Sequence, residues 1–192
     1  MDERFAFNGS FMTKCDDKSG YNHILLSESS QTYFGFEWGG LWFECTTLPF
    51  RWKMSPYVYH TTGLKVSSLL REQGIPCSLY IDDRLNGELL TKSGPLSILY
   101  SDRRKECRVK AVRAAISIVF SVLVELGYTI GISKSVLYPT TSLEYLGILV
   151  DSEKQSSIIP QSKIVAWAFL QEKILACKKC VDVKSLQRFQ GK

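Results

Sequence analysis

Two pairs of adjacent aspartates have the residue types and the positions to do chemistry. Asp16-Asp17 comes at the end of a predicted strand at 11–16, and Asp82-Asp83 follows a second at 77–81. Acids at strand ends can converge at one edge of a sheet, where their mutual repulsion favours a hard dication. Two Mg²⁺ ions about 3.5–4 Å apart are the usual device for in-line phosphoryl transfer. The spacing also allows a plainer interpretation, because Asp-Asp is common in turns and caps.

The elements around these acids are short and of mixed type. Aromatic and β-branched runs on either side of Gly39-Gly40 predict a hairpin at about 32–47. A helix is predicted from Ser55 to about Gln73, with Val58, Leu64 and Leu69 on its apolar surface. Asp82-Asp83 is expected to form a turn, and Arg84 to Gly87 leads away from it into a loop at 87–102.

The second half of the chain continues with a strongly periodic helix. Its apolar residues recur every three or four positions and Gly127 ends it; they are Val109, Val112, Ile116, Val119, Leu123 and Leu126. Short strands are expected over 128–151, then a helix from Ser162 to about Lys179 and a helical piece from Val183 to Phe189. This order predicts an α+β fold with helices on one face of an antiparallel sheet.

Composition limits the class of protein. The 192 residues carry 24 Lys+Arg against 19 Asp+Glu, and the net charge of +5 permits a polyanionic partner without requiring one. No apolar run approaches the roughly 18–20 residues of a membrane span. The charged start Met1-Asp2-Glu3-Arg4 does not open a signal peptide, and the six cysteines are then expected as free thiols. We therefore expect an intracellular protein, in the cytoplasm or nucleus, that is not secreted and does not enter a membrane.

Six segments resemble the motifs of reverse transcriptases, and they occur in the family's order. The Tyr-x-Asp-Asp motif is resembled by Tyr80-Ile81-Asp82-Asp83, and the upstream aspartate motif by Asp16 to Tyr21. The other four are Leu48 to Pro56, which resembles the Leu-Pro-x-Gly and Ser-Pro motif; Lys134 in a lysine motif; Tyr145-Leu146-Gly147 in a primer grip; and Val183 to Lys192, which is similar to a retrotransposon thumb segment of the DIRS-like or gypsy-like groups.

The resemblance implies an RNA-directed DNA polymerase domain of a retrotransposon. It implies a palm at 1–157 and the truncated beginning of a helical thumb at 158–192. Only ten residues precede Phe11, so the fingers are expected to be largely missing and the chain to be a fragment of a retroelement polyprotein. The implied partners are an RNA or DNA template with its primer, deoxynucleoside triphosphates and the rest of that polyprotein. Without fingers, the chain alone is expected to extend a primer poorly or not at all.

The resemblance also implies roles at the reacting centre. Asp16 and Asp82 would hold two Mg²⁺ ions, with Mn²⁺ possible in their place, and Asp83 would support them as a third metal-site carboxylate. Lys134 would neutralise or protonate the leaving pyrophosphate, although a solvated turn lysine fits its position equally well. Asp17 would contribute its backbone carbonyl as a further metal ligand beside the nucleotide.

Further roles concern the nucleotide and the nucleic acid. Tyr21 would lie under the incoming sugar and Phe50 beside it, with Arg51 next to them; a half-buried aromatic and a plain core phenylalanine are the alternatives for the two rings. Tyr145, Leu146 and Gly147 would hold the primer terminus, unless they form an ordinary tight turn. Template and primer phosphates would be bound by Lys178, Lys179 and Lys184.

Two residues depart from the family pattern. Asp17 stands where an apolar residue is usual, which would add negative charge beside the metals. Arg51 stands where glycine is usual, which would crowd the nucleotide pocket. These departures keep open a non-catalytic palm remnant that binds only nucleic acid or protein. An unrelated α+β interaction domain with fortuitous Asp pairs is the other alternative.

Overall fold

The computed structural model describes residues 9–88, 105–176 and 181–190, and three antiparallel sheets organise them. The central sheet has four strands in the order β4-β5-β1-β6, β2 pairs with β3, and the third sheet has the order β7-β8-β9. In chain order the strands are β1 Met12–Asp16, β2 Gly35–Trp38, β3 Leu41–Glu44, β4 Cys77–Tyr80, β5 Asp83–Asn86, β6 Val136–Thr140, β7 Ser142–Tyr145, β8 Ile148–Asp151 and β9 Ser156–Ile158.

The helices of the described residues cover much of the remaining chain. They are α1 Glu28–Gln31, α2 Ser55–Glu72, α3 Lys105–Glu125, α4 Gln161–Ala176 and α5 Val183–Gln190, with short 3₁₀ helices at Gly20–His23, Thr32–Phe34 and Ile132–Lys134. Helices beside antiparallel sheets confirm the predicted α+β class. Among these helices none combines the length and the apolar character that crossing a membrane requires.

The main core lies between the central sheet and helices α2 and α3. Its buried side chains come from both layers and include Cys15, Tyr59, Leu70, Cys77, Val119 and Leu123. The opposite face of the sheet packs Met12 and Leu85 against Leu143 of the third sheet. Strand β1 is thus covered on both faces, and Asp16 is its last residue.

The buried face of α2 differs from the predicted one. Leu64 and Leu69 are each 40% exposed, whereas Gly63 and Ser67 face the sheet. Gly63 is needed there because a Cβ at this position would lie 2.7 Å from Leu79 Cδ2. Tyr59, Val66 and Leu70 do face inward at helical spacing, but close approach of the helix to β4 and β5 requires small residues at 63 and 67.

The Asp-Asp turn also differs from the prediction. Ile81 and Asp82 form the turn between β4 and β5, and Asp83 is already the first residue of β5. The segment expected to lead away is therefore a central strand, whose Arg84 is wholly buried. A charged residue in a short polar stretch is typical of a loop, so its strand character was not visible in the pattern. Of the predicted loop, residues 89–102 lie outside the described residues, as does the predicted helix end beyond Ala176.

Candidate active site

Strand β1 and the β4–β5 turn bring the two acid pairs together. Asp16 and Asp83 are directly opposite each other in the β1–β5 ladder, so their side chains lie on the same face of the sheet. The Asp17 N–H donates a hydrogen bond to the Asp82 carbonyl at 3.0 Å. Asp16 and Asp82 line one cleft of about 990 Å³. The convergence predicted from the two strand ends is therefore present.

Aromatic side chains form one wall of this cleft. The Tyr21 ring lies 6.0 Å from the Phe50 ring and 5.7 Å, edge to face, from the Tyr59 ring. Phe50 is 80% exposed, which rules out a core role for it. Leu48, Tyr59 and Ile81 line the same space behind these rings. The two residues predicted to contact the sugar thus lie side by side at the edge of the acid cluster.

The cations near the cleft balance its acids only in part. Burial raises the pKa of Asp16, and repulsion from Asp82 and Asp83 raises it further against the opposing effect of Lys134 and Lys14. Burial also raises the pKa of Asp82, with repulsion from Asp83 and Asp17 in the same direction. Asp83 is partly neutralised, because Lys14 Nζ lies 2.9 Å from its Oδ1.

This donor set fits a hard dication. Carboxylate oxygens are the ligands that Mg²⁺ prefers, and a positive charge would relieve the burial and repulsion that raise both pKa values. Within residues 9–88, 105–176 and 181–190, no three His, Cys, Asp or Glu side chains are already arranged to hold a metal. The donors that the cleft offers are Asp16 and Asp82, with Asp83 turned toward Lys14.

Gly131 leaves room for the Asp16 carboxylate. A Cβ at Gly131 would lie 2.6 Å from Asp16 Oδ2, and the Gly131 N–H donates to the Asp16 carbonyl at 2.7 Å. Its φ of −80° is open to any residue, so the constraint is space alone. The Asp16 N–H in turn donates to Ser135 Oγ at 3.0 Å. Sequence reasoning missed both residues, whose only signal is their place beside the lysine motif.

Lys134 belongs to the same turn. It closes the 3₁₀ helix Ile132–Lys134, lines the cleft and is exposed. Its ammonium group is near enough to lower the pKa values of both Asp16 and Asp82. Its predicted role at a leaving group stays a prediction.

Asp17 has a different environment from the one expected. Its carboxylate is buried with the wholly buried Arg84, whose Nη2 and Nε lie 3.1 Å and 3.4 Å from Asp17 Oδ2 and Oδ1. Tyr59 Oη donates to Asp17 Oδ2 at 2.6 Å. Asp17 does add negative charge near Asp82, as expected, and Arg84 pairs with that charge in the core. In the bridge between Asp17 and Ile130, the hydrogen bonds are donated by the N–H groups of Lys18 and Gly131 to the carbonyls of Thr129 and Asp16. The bridge does not use the Asp17 carbonyl.

Arg51 has a backbone conformation that favours glycine. Its φ is +75°, in the left-handed region where side chains other than glycine are strained. The residue is exposed, and it is not among the residues that line the cleft. The departure from the family's glycine therefore strains the backbone here, and the expected crowding of the cleft is not observed.

The predicted primer-grip residues lie directly behind the acids. Tyr145 Oη donates to the Asp83 carbonyl at 3.4 Å, and burial raises the pKa of Tyr145 to about 12. Leu146 and Gly147, with φ of +51° and +78°, form the two-residue turn between β7 and β8. Lys163 of α4 donates to the Gly147 carbonyl at 2.9 Å.

Of the three lysines predicted to bind phosphates, the structure describes Lys184. Lys184 is exposed on α5. Lys178 and Lys179 lie outside the described residues. Their predicted contacts with nucleic acid stay predictions.

Comparisons with known proteins agree with the motif pattern. The family model described as reverse transcriptase (RNA-dependent DNA polymerase) matches residues 8–150. The foamy viral protease-reverse transcriptase in complex with an RNA/DNA hybrid is 20% identical with a TM-score of 0.64, over 100% of this chain and 22% of that one. A foamy viral protease-reverse transcriptase dRH structure with double-stranded DNA is 18% identical with a TM-score of 0.63, over 98% and 28%.

The chain thus spans about a quarter of the length of these solved structures. At such identities the likeness shows the fold, and the family rests on the match over 8–150. Comparison with curated protein sequences finds none that matches.

Proposed function

The chain belongs to the reverse transcriptase (RNA-dependent DNA polymerase) family, and we propose that it forms the palm of an RNA-directed DNA polymerase. The reaction is attack by a primer 3′-hydroxyl on the α-phosphorus of a deoxynucleoside triphosphate, with pyrophosphate as the leaving group. One observation carries the proposal: Asp16 and Asp82 line the same cleft, with the Tyr21 ring beside them. The palm is proposed at 1–157 and the beginning of the thumb at 158–192.

Asp16 and Asp82 would hold two Mg²⁺ ions, or Mn²⁺, in this mechanism. When bound, the ions would lower the pKa of the attacking hydroxyl and neutralise the triphosphate. Asp83 would support the pair from the opposite position in the β1–β5 ladder. Gly131 would keep the Asp16 carboxylate directed into the cleft, because its backbone leaves space that a side chain would fill.

The other lining residues would orient the nucleotide and the primer. The ring of Tyr21, supported by Phe50 and Tyr59, would form a floor under the sugar that excludes a 2′-hydroxyl by shape. Lys134 would neutralise charge on the departing pyrophosphate. The Tyr145–Gly147 turn would position the primer terminus through its contact with Asp83. Lys178, Lys179 and Lys184 would bind template and primer phosphates.

Primer extension tests this function. The full-length protein that carries this chain is incubated with a primed RNA template, deoxynucleoside triphosphates and Mg²⁺. Asp82→Asn should abolish extension, because it removes one ligand and half of the donor pair. Glu37→Gln, which neutralises an exposed carboxylate on β2, is the matched control and should leave the rate unchanged. Extension that survives Asp82→Asn would exclude this cleft as the active site.

Sugar selection provides a sharper test of Tyr21. Tyr21→Ala should raise incorporation of ribonucleotides relative to deoxynucleotides by roughly tenfold to a hundredfold, since relief of a steric clash is typically worth about 1–3 kcal/mol. The measurement is single-nucleotide incorporation with matched ribo- and deoxyribonucleotides. An unchanged ratio, with deoxynucleotide incorporation still measurable, would remove Tyr21 from the nucleotide pocket.

A second candidate is a palm that binds primed template without turnover. It is favoured by the pairing of Asp83 with Lys14 and by the lack, among the described residues, of a ready three-ligand group. Fluorescence anisotropy with a labelled primer–template, run beside the extension assay, separates the two. Binding that is unaffected by Mg²⁺ and by Asp82→Asn, without extension, would favour this alternative.

A further inference from the structure

We propose that the buried network of Asp17, Arg84 and Tyr59 is a positioning device that sets the separation of Asp16 and Asp82. The inference rests on the proposed role of these two acids as metal ligands. It assigns a function to three side chains that do not themselves contact the reacting atoms.

The network is closed and fully inside the protein. The Arg84 guanidinium makes a two-pronged contact with the Asp17 carboxylate, at 3.1 Å and 3.4 Å, and both side chains are 0% exposed. Its remaining nitrogen, Nη1, lies 3.3 Å from Ser67 Oγ and 3.5 Å from the Gly63 carbonyl, both on α2. The Tyr128 ring lies beneath the guanidinium at 5.2 Å.

The positions of the partners connect the two acid-bearing segments. Asp17 directly follows Asp16 at the end of β1, and Arg84 is two residues after Asp82, at the start of β5. Successive side chains of a strand point to opposite faces. Asp16 and Asp83 therefore share one face, while Cys15, Asp17 and Arg84 share the other, toward the core. A contact on the core face consequently holds the two segments that present acids to the cleft.

Tyr59 extends this network to the aromatic wall. Its hydroxyl donates to Asp17 at 2.6 Å, and its ring end fits against Gly20, where a Cβ would lie 2.6 Å from Tyr59 Cζ. Tyr21, the next residue, contacts the same ring edge to face. The hydroxyl of one α2 tyrosine thus fixes the position of the acid strand and of the proposed sugar floor together.

An ion pair is a poor choice if stability alone is required. Desolvation of two charges offsets most of their attraction, and well-packed apolar residues of similar volume often stabilise a core equally well or better. Unlike an apolar contact, the contact made by a planar guanidinium is directional. Its two parallel N–H groups can both donate to a carboxylate only when the carboxylate has one particular orientation. A pair of metal ligands needs such a fixed orientation, because displacement of a ligand by about 1 Å is enough to weaken a site of this kind.

The test measures Mn²⁺ binding by the 192-residue chain with electron paramagnetic resonance, beside thermal unfolding. The double variant Asp17→Leu, Arg84→Met removes both charges while keeping apolar volume in the core. Its melting temperature should stay within a few degrees of the parent, and its Mn²⁺ dissociation constant should rise at least tenfold. The control is Glu88→Gln, Arg108→Met, which removes another ion pair, of 2.6 Å, away from the acids, and should leave Mn²⁺ affinity unchanged.

A folded double variant that binds Mn²⁺ as tightly as the parent would overturn the proposal and leave the pair a core contact only. If the double variant does not fold, Tyr59→Phe decides, because it deletes only the hydroxyl that donates to Asp17. Its control is Tyr138→Phe, which deletes a surface hydroxyl that accepts from Arg113. Weaker Mn²⁺ binding in Tyr59→Phe alone supports the proposal, and equal affinities overturn it. A parent chain that binds no Mn²⁺ overturns the metal site itself, a failure visible before any network variant is compared.

Discussion

Asp16 and Asp17 are neighbours in the chain, and they lie in opposite environments. Asp16 looks into the cleft, faces Asp83 across the ladder and has its pKa raised by burial and by like charges. Asp17 looks into the core, where one arginine and one tyrosine hydroxyl satisfy it. The alternation of a strand is sufficient to separate them. The Asp16 carboxylate is therefore only partly compensated, by Lys134 and Lys14, whereas the next carboxylate has a directly bonded counter-ion.

Two adjacent residues therefore have different roles: Asp16 is a proposed cation ligand, and Asp17 belongs to the core. A site that is to bind cations must keep acids without partners, and that arrangement destabilises the folded chain locally. The core directly behind it has the reverse property, since removal of either partner there leaves a buried charge. Removal of a charge should consequently lower stability on the core side and raise it on the cleft side.

The largest effect is expected from Arg84→Met. The substitution leaves the Asp17 carboxylate buried without a counter-ion, which typically costs about 3–5 kcal/mol. The free energy of unfolding, measured by urea denaturation, should fall by that amount. Arg113→Met is the control, because its guanidinium lies over the exposed Tyr138 ring at the surface and should matter by about 0.5 kcal/mol or less. Similar losses in the two variants would mean that Arg84 contributes no more to stability than a surface arginine does.

An intermediate effect is expected from Gly131→Ala, on the cleft side. The added Cβ would meet Asp16 Oδ2 at 2.6 Å, so the carboxylate or the turn must move. Overpacking of this kind costs about 1–3 kcal/mol, and Mn²⁺ affinity should fall with it. Gly35→Ala is the matched control, since its Cβ would meet its nearest neighbour at an ordinary 3.6 Å. Mn²⁺ affinity unchanged in Gly131→Ala would show that Asp16 has more room than the geometry indicates.

The acids could be predicted from the sequence because their signal is local. Strand ends that carry Asp pairs, together with six ordered motifs, identified Asp16 and Asp82, and the structure brings both to one cleft. The compensation of Asp17 could not be predicted, because Arg84 lies 67 positions away and looks like a loop residue. Gly131 was missed for a similar reason: its constraint is a distance to Asp16, and composition does not record distances.

The prediction that Leu64 and Leu69 lie on the buried face of α2 was wrong for a related reason. Periodicity favours leucines inside, yet Gly63 and Ser67 face inward because Leu79 and Arg84 need the space and the hydrogen bonds. The overall order of helices and strands was recovered, since long periodic segments such as α3 are visible in the sequence itself. Details that depend on which elements pack against each other could not be predicted from the sequence.

A smaller effect, of opposite sign, is expected from Asp16→Asn. Like charges directly opposite in a ladder are destabilising, and a cross-strand pair is worth roughly 0.2–1 kcal/mol. Neutralising Asp16 opposite Asp83 should therefore raise the free energy of unfolding by this amount in buffer without divalent cations. Urea denaturation measures the change, and Glu37→Gln, at an exposed acid of β2, should leave stability unchanged. A loss of stability in Asp16→Asn would show that the folded chain stabilises the charge of Asp16, as it does that of Asp17.

The smallest expected effect is the pH dependence of that gain. The folded chain raises the pKa of Asp16 above the ordinary value of 3.8, first through burial and then through repulsion. Between the ordinary and the raised pKa the folded state binds more protons than the unfolded state, so the free energy of unfolding falls as pH rises through this window. Asp16→Asn lacks this contribution. Its advantage over the parent should be near zero below pH 3.8, grow through the window and then stay constant up to neutral pH. Urea denaturation at closely spaced pH values measures the difference, and an advantage that shrinks as pH rises would show that the cleft stabilises the charged form of Asp16.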